Sequence, residues 1–368
     1  MKNIMKLGSL GLGVGIALVS VAIGLGFSSA ANADKGSILY VGDGGDDTVK
    51  RFDAKTGRYL GAIVTSKSNG LLGPMGLLST DHELIVANQN VNQPYNGEVL
   101  KFNRNSGIFT GALVPCQDAL GRPCDPNSPF TPRGIIKGSG EKLFVADLFG
   151  SSFDPTTEGS VKEYNFKTGQ FIRNLDTTGF TDKFYPRGVV IGPDGLLYVS
   201  VRGFGGLASP LPGYVLRFNP LTGKFKDVFT SYQPTANDCS KHLHRPEGLV
   251  FGPDNKLYIT SFQAYPQDND KILIYDRTTK KCIDQIDLYA VGQTRAFSQA
   301  IVFGPNGDLF VSIQNTPTPP FTGEVRRCNV KTKKCQVFVR NTAKGGALLN
   351  PWYLTFGETD PRTLKYDD

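Results

Sequence analysis

A short strand signature recurs six times along the 368-residue chain, and no other feature constrains the fold as tightly. The copies are Leu39-Tyr40-Val41, Leu84-Ile85-Val86, Leu143-Phe144-Val145, Leu197-Tyr198-Val199, Leu257-Tyr258-Ile259 and Leu309-Phe310-Val311. Aromatic and β-branched residues of this kind favour a pleated strand. A unit repeating over several tens of residues implies stacked or radial modules, because one such unit cannot bury its apolar face alone. Five copies are preceded by a second strand that opens on Pro-x-Gly or a variant. These openings are Pro74-Met75-Gly76, Pro132-Arg133-Gly134, Pro186-Arg187-Gly188, Pro246-Glu247-Gly248 and Ser298-Gln299-Ala300. Later copies place Gly192-Pro193-Asp194-Gly195 or Gly304-Pro305-Asn306-Gly307 between the two strands, the residue types a tight reversal requires.

A hairpin follows each signature, and its arms carry matched aromatic residues: Phe52 with Tyr59, Phe102 with Phe109, Tyr164 with Phe171 and Phe218 with Phe225. Such pairs are expected to face each other across the hairpin. In the fifth unit the matched residues are Tyr275 and Cys282, and in the sixth they are Cys328 and Cys335. A disulfide between Cys328 and Cys335 is therefore expected where the others stack rings. Cys116 and Cys124 share one loop and are expected to close it. Cys239 and Cys282 are left over, and the sequence leaves their pairing open. The first unit lacks an opening strand, while the chain ends on Pro351-Trp352-Tyr353-Leu354-Thr355-Phe356. These observations predict an all-β, six-bladed β-propeller whose first blade combines N-terminal strands with the C-terminal strand, removing an exposed sheet edge.

The chain begins with a short basic segment, an apolar run from Leu7 to Phe27 and Ala31-Asn32-Ala33. This reads as a signal peptide over residues 1–33 with cleavage after Ala33, leaving a propeller over 34–368 in the periplasm or secreted; an uncleaved anchor is the alternative. Six cysteines, an even number, fit an oxidising compartment. The formal charge of +7 comes without a long basic block, so no nucleic-acid partner is expected. No membrane span is expected after signal cleavage, and the chain is expected to be a monomer.

The run of Pro-x-Gly, Gly-Pro-Asp-Gly and Leu-Tyr-Val resembles the NHL-repeat propellers and their relatives, the regucalcin/gluconolactonase and virginiamycin B lyase propellers, along the whole chain after residue 33. The six repeats depart from the seven blades of virginiamycin B lyase. The resemblance implies that the middle residue of each opening faces a central channel, which here means Met75, Arg133, Arg187, Glu247, Gln299 and Trp352. Calcium, which the lactonase relatives hold there, is left possible, although only Glu247 and Gln299 offer the oxygen ligands it requires. No other cofactor is expected. The resemblance to virginiamycin B lyase also implies His244 as a candidate general base, with Glu247 as a second acid/base candidate.

Arg133 and Arg187, from adjacent blades, suit a carboxylate or phosphate, since a guanidinium fork binds either in bidentate fashion. The alternative is that they bridge to Glu247, or to Asp147 at the end of a neighbouring strand. Asp43-Gly44-Gly45-Asp46-Asp47 reads as turn chemistry rather than a calcium loop. Long loops after the second strands, as at 148–158 and 202–212, would wall a cup above the channel. Three functions remain open at this point. One is binding of an anionic small molecule or protein segment in the channel and cup; the second is a lactonase or lyase active there; the third is a cell-envelope interaction scaffold.

Overall fold

The computed structural model describes residues 38–93, 96–116, 127–150, 157–202, 212–265, 267–317, 322–342 and 346–366. Over these residues the chain forms six four-stranded antiparallel sheets, the blades of a propeller ring. Blade 1 runs from the centre outward as Pro351–Phe356, Ile38–Asp43, Thr48–Asp53 and Tyr59–Val64, so the last strand of the chain does complete the first blade. In blades 2 to 6 the strands follow chain order, and the innermost are Pro74–Ser79, Pro132–Lys137, Pro186–Ile191, Pro246–Phe251 and Ser298–Phe303. Each innermost strand packs against its counterparts in both neighbouring blades, which closes the circle.

The Pro-x-Gly opening explains how those inner strands approach so closely. A Cβ on Gly76 would stand 2.2 Å from the Arg133 carbonyl oxygen, and one on Gly134 would stand 2.7 Å from that of Arg187. Gly188 and Gly248 meet the carbonyls of Glu247 and Gln299 in the same way, at 2.5 and 2.8 Å. Only glycine fits where one backbone passes this near another. In three blades a hydroxyl in the middle of the second strand adds a bond to the next blade. Ser200 donates to the Glu247 carbonyl at 2.5 Å, Thr260 to that of Gln299 at 2.8 Å and Ser312 to that of Trp352 at 3.1 Å.

At the ring's seam, Asp43 is fully buried and accepts from the backbone N–H groups of Leu349 and Asn350 at 2.8 and 2.7 Å, while Lys50 meets it at 2.6 Å. It also accepts from the Gly45 N–H at 3.0 Å, so the acidic run is turn chemistry with a second use, fastening the two ends of blade 1. The same role falls to Asn88 in blade 2, which accepts from the Leu72 N–H at 2.7 Å.

At the outer edge, Phe52 and Tyr59 stack with centroids 5.4 Å apart, and the other three expected pairs lie 5.6 to 5.8 Å apart. Cys328 and Cys335 are bonded across the matching positions of blade 6, with Cα atoms 4.0 Å apart. Cys239 and Cys282, whose pairing the sequence left open, are also bonded, with Cα atoms 5.3 Å apart. This second bridge fastens the 3-10 turn Cys239–His242 to the outermost strand of blade 5, Cys282–Asp287. The expected Cys116–Cys124 bridge and the signal peptide over 1–33 lie outside the described residues. Two disulfides fit an extracellular location. Among the described residues, no helix is long and apolar enough to cross a membrane.

Beyond the last strand the tail crosses the lower end of the ring. From Phe356 in blade 1 it reaches the far side, where the Lys137 N–H of blade 3 donates to the Pro361 carbonyl at 2.8 Å and the Ile191 N–H of blade 4 to that of Arg362 at 3.2 Å. Leu364 is buried in the core, and Tyr366 returns to stack on Phe356 at 5.4 Å.

Candidate functional site

Register shifts at the strand openings decide which side chains reach the centre. In blade 2, Pro74 pairs with Asn88 and Gly76 with Ala87, so Met75 is an extra, unpaired residue. In blade 1, Asp43 pairs with Pro351 and Gly42 with Tyr353, leaving Trp352 out in the same way. Blades 3 to 6 carry equivalent shifts between Pro132 and Ile135, Pro186 and Val189, Pro246 and Leu249, and Ser298 and Ile301. A bulge of this kind re-aims a side chain away from the sheet. The result is that Met75, Arg133, Arg187, Glu247, Gln299 and Trp352 line one central throat, as the resemblance implied. Its open volume is about 20 Å³, room for about one water-sized group.

A second tier sits above the first, built by the residue five positions after each repeat leucine. Gln89 accepts a hydrogen bond from Arg133 Nη1. Gln314 Oε1 accepts from Gln299 Nε2 at 3.1 Å. Arg202 Nη2 pairs with Glu247 Oε1 at 2.9 Å, and its guanidinium lies 5.1 Å from the Phe262 ring centroid. Gly44 leaves space for Trp352, whose Cδ1 would be 2.9 Å from a Cβ there. This tier does not stand out in the amino-acid sequence. The signal was present as a fixed offset from the repeat, but the tier residues share no chemistry and so do not read as a motif.

Glu247 is the one carboxylate among the throat residues, and three guanidiniums gather near it. Arg202 is its close partner, Arg187 Nη1 stands 3.7 Å away, and Arg133 lies over the Trp352 ring at 4.9 Å. Arg187 and Glu247 are each about 5% exposed. Burial and repulsion from Arg202 pull Arg187 well below the ordinary guanidinium value. Burial, opposed by Glu247, pulls Arg133 down to about 10. The shared downward direction marks a cluster short of negative charge.

Two residues expected at the site are engaged elsewhere. Asp147 does not line the throat; its fully buried carboxylate accepts from the Phe130 and Thr131 N–H groups at 2.9 and 2.7 Å, with Lys162 at 3.9 Å, repeating the Asp43 arrangement. His244 is fully buried and also stands off the throat, with Nε2 at 3.6 Å from Asp268 and its ring 4.8 Å from that of Tyr232. The donor set does not fit a lactonase-type calcium in the throat. Glu247 is held by Arg202 and Gln299 by Gln314, while the cation would face Arg133 and Arg187.

No family model matches the chain, and no curated relative does. Solved structures do. A luciferin-regenerating enzyme superposes with a TM-score of 0.54 at 12% identity, over 80% of this chain and 88% of that one. A protein of unknown function from Dyadobacter fermentans gives 0.51 at 14% identity, over 76% and 82% of the two chains. Virginiamycin B lyase from Staphylococcus aureus gives 0.45 at 15% identity, over 83% and 84%. The likeness to the first two of these is one of fold, the β-propeller described above.

Proposed function

We propose that this is an exported binding protein that takes the carboxylate or phosphate group of a small molecule or protein segment at the loop-side mouth of the throat. One observation carries the reading: Arg133, Arg187 and Arg202 crowd around the single carboxylate of Glu247. A buried excess of guanidinium is costly unless an anion relieves it. The narrow throat sets the geometry, since about 20 Å³ admits an oxygen-sized group while the body of the ligand stays outside it; the long loops expected to wall a cup lie largely outside the described residues. A binding role is preferred to lactone hydrolysis or elimination because the candidate base His244 faces Asp268 rather than the throat. Small carboxylates and phosphates titrated calorimetrically against wild type and Arg187→Ala test the reading. The variant is expected to lose about tenfold or more in affinity, about 1.4 kcal/mol; equal binding by the two proteins would sink it.

A further inference from the structure

The link from blade 4 to blade 5 and the loop after the second strand of blade 5 bring two imidazoles and a carboxylate together, separate from the arginine cluster. His242 Nδ1 lies 3.5 Å from Asp268 Oδ1, and His244 Nε2 lies 3.6 Å from Asp268 Oδ2. The three candidate ligand atoms all fall within 4.8 Å of one another. A tetrahedral zinc with bonds of about 2.0–2.1 Å spaces its ligands about 3.4 Å apart, close to the distance from each imidazole to its nearer Asp268 oxygen.

The imidazoles are otherwise idle. His244 is fully buried, and neither of its ring nitrogens has a hydrogen-bond partner; His242 Nδ1 has none either. Buried polar atoms are ordinarily satisfied, so an orphaned pair of nitrogens pointing at one carboxylate calls for a ligand.

The frame around them is rigid. Asp238 caps the 3-10 turn by accepting from the Ser240 N–H at 2.8 Å, the Cys239–Cys282 bridge fastens that turn, and Ser261 donates to the His242 carbonyl at 2.7 Å. Lys271 pairs with Asp268 Oδ1, and the Ala264 N–H donates to Oδ2 at 3.2 Å. The Asn269 N–H also bonds this carboxylate, which has about four acceptor positions and so keeps capacity for a metal bond beside these three.

We propose that His242, His244 and Asp268 form a binding site for a first-row transition ion, with zinc the best fit. Two imidazoles and one carboxylate leave a coordination position open, and the partly exposed His242 side chain marks the side on which it opens. Calcium is disfavoured because it takes oxygen ligands. Lys271 is a like charge beside the ion and sets an affinity below that of an uncrowded site.

The chelator-treated chain is dialysed against zinc alone or calcium alone, and bound metal is measured; cobalt(II) is added separately and its visible absorption recorded. Wild type is expected to hold about one zinc per chain, no calcium, and a cobalt ligand-field band. His242→Ala removes a partly exposed side chain, so the fold is expected to survive while zinc affinity falls about tenfold or more and the cobalt band is lost. Lys271→Met removes the competing cation and is expected to bind zinc about tenfold more tightly, with zinc raising its Tm more than that of wild type. Equal zinc binding by wild type and His242→Ala overturns the proposal. So does failure of both wild type and Lys271→Met to retain zinc. Neither result depends on Arg187, so the anion reading stands or falls separately.

Discussion

The two halves of the throat wall are held by different means. Glu247, Gln299 and Trp352 have their backbone carbonyls tied by hydroxyls of Ser200, Thr260 and Ser312 in the preceding blades. Met75, Arg133 and Arg187 have no such tie, because the corresponding second-strand residues are Gly42, Ala87 and Ala146. Close packing sets the backbone of that half: a Cβ at Gly42 would stand 2.8 Å from the Pro74 carbonyl. Both throat arginines therefore sit, with Met75, on the half whose backbone is positioned by contact alone, and Glu247, Gln299 and Trp352 sit on the half whose backbone is also tied by hydroxyls. If the throat binds an anion as proposed, the two guanidiniums can adjust around it while the Glu247 backbone stays tied opposite them.

The comparison can be broken most severely at the seam between the halves. Asp43→Ala removes the acceptor for the buried Leu349 and Asn350 N–H groups and one of the two carboxylates on Lys50, which keeps Asp46 at 2.6 Å, an expected loss of about 3–4 kcal/mol measured by urea unfolding. A loss under about 1 kcal/mol would mean that the blade closes without the latch. On the packed half, Gly76→Ala drives a methyl to 2.2 Å from the Arg133 carbonyl, and a loss of about 2–3 kcal/mol is expected together with weaker anion binding. On the tied half, Thr260→Val deletes one buried donor and leaves the Gln299 carbonyl short of a partner, costing about 1 kcal/mol with anion affinity nearly unchanged. If Thr260→Val disturbed binding as much as Gly76→Ala, the distinction between the halves would be lost.

The smallest effect concerns pH. Burial, opposed by Lys162 and backbone N–H groups, raises Asp147 to about 7. A raised carboxyl pKa means that the folded state holds a proton the unfolded chain releases near pH 4. Its contribution to stability is complete below about pH 4 and is lost as pH rises through about 7. Asp147→Asn is expected to flatten the dependence of Tm on pH across that window. The amide is tolerated at the matching position in blade 2, where Asn88 caps the Leu72 N–H. An unchanged Tm profile between pH 4 and 8 would remove Asp147 as its source.

Much of the ring was legible because repeats expose their own packing. Six signatures fixed the number of blades, the truncated first unit pointed to closure by Pro351–Phe356, and the cysteines at aromatic positions announced the Cys328–Cys335 bridge. The throat residues were legible as the variable letter inside an otherwise constant opening. Arg202 was not, because it follows the repeat at a position whose chemistry changes from blade to blade. Cys239 and Cys282 stand 43 residues apart in sequence, and their approach depends on how a connecting segment lies against an outer strand, which no local pattern encodes. The convergence of His242, His244 and Asp268 was hidden for the same reason.

The tail beneath the ring has a consequence for traffic. With Pro361 and Arg362 strung between blades 3 and 4 and Leu364 set into the core, the molecule has a floor. Under the proposed reading, an anion would then come to the arginines from the loop side, as the end or a side branch of a larger molecule. Among carboxylates and phosphates, those at the tips of molecules are the ones this architecture suits.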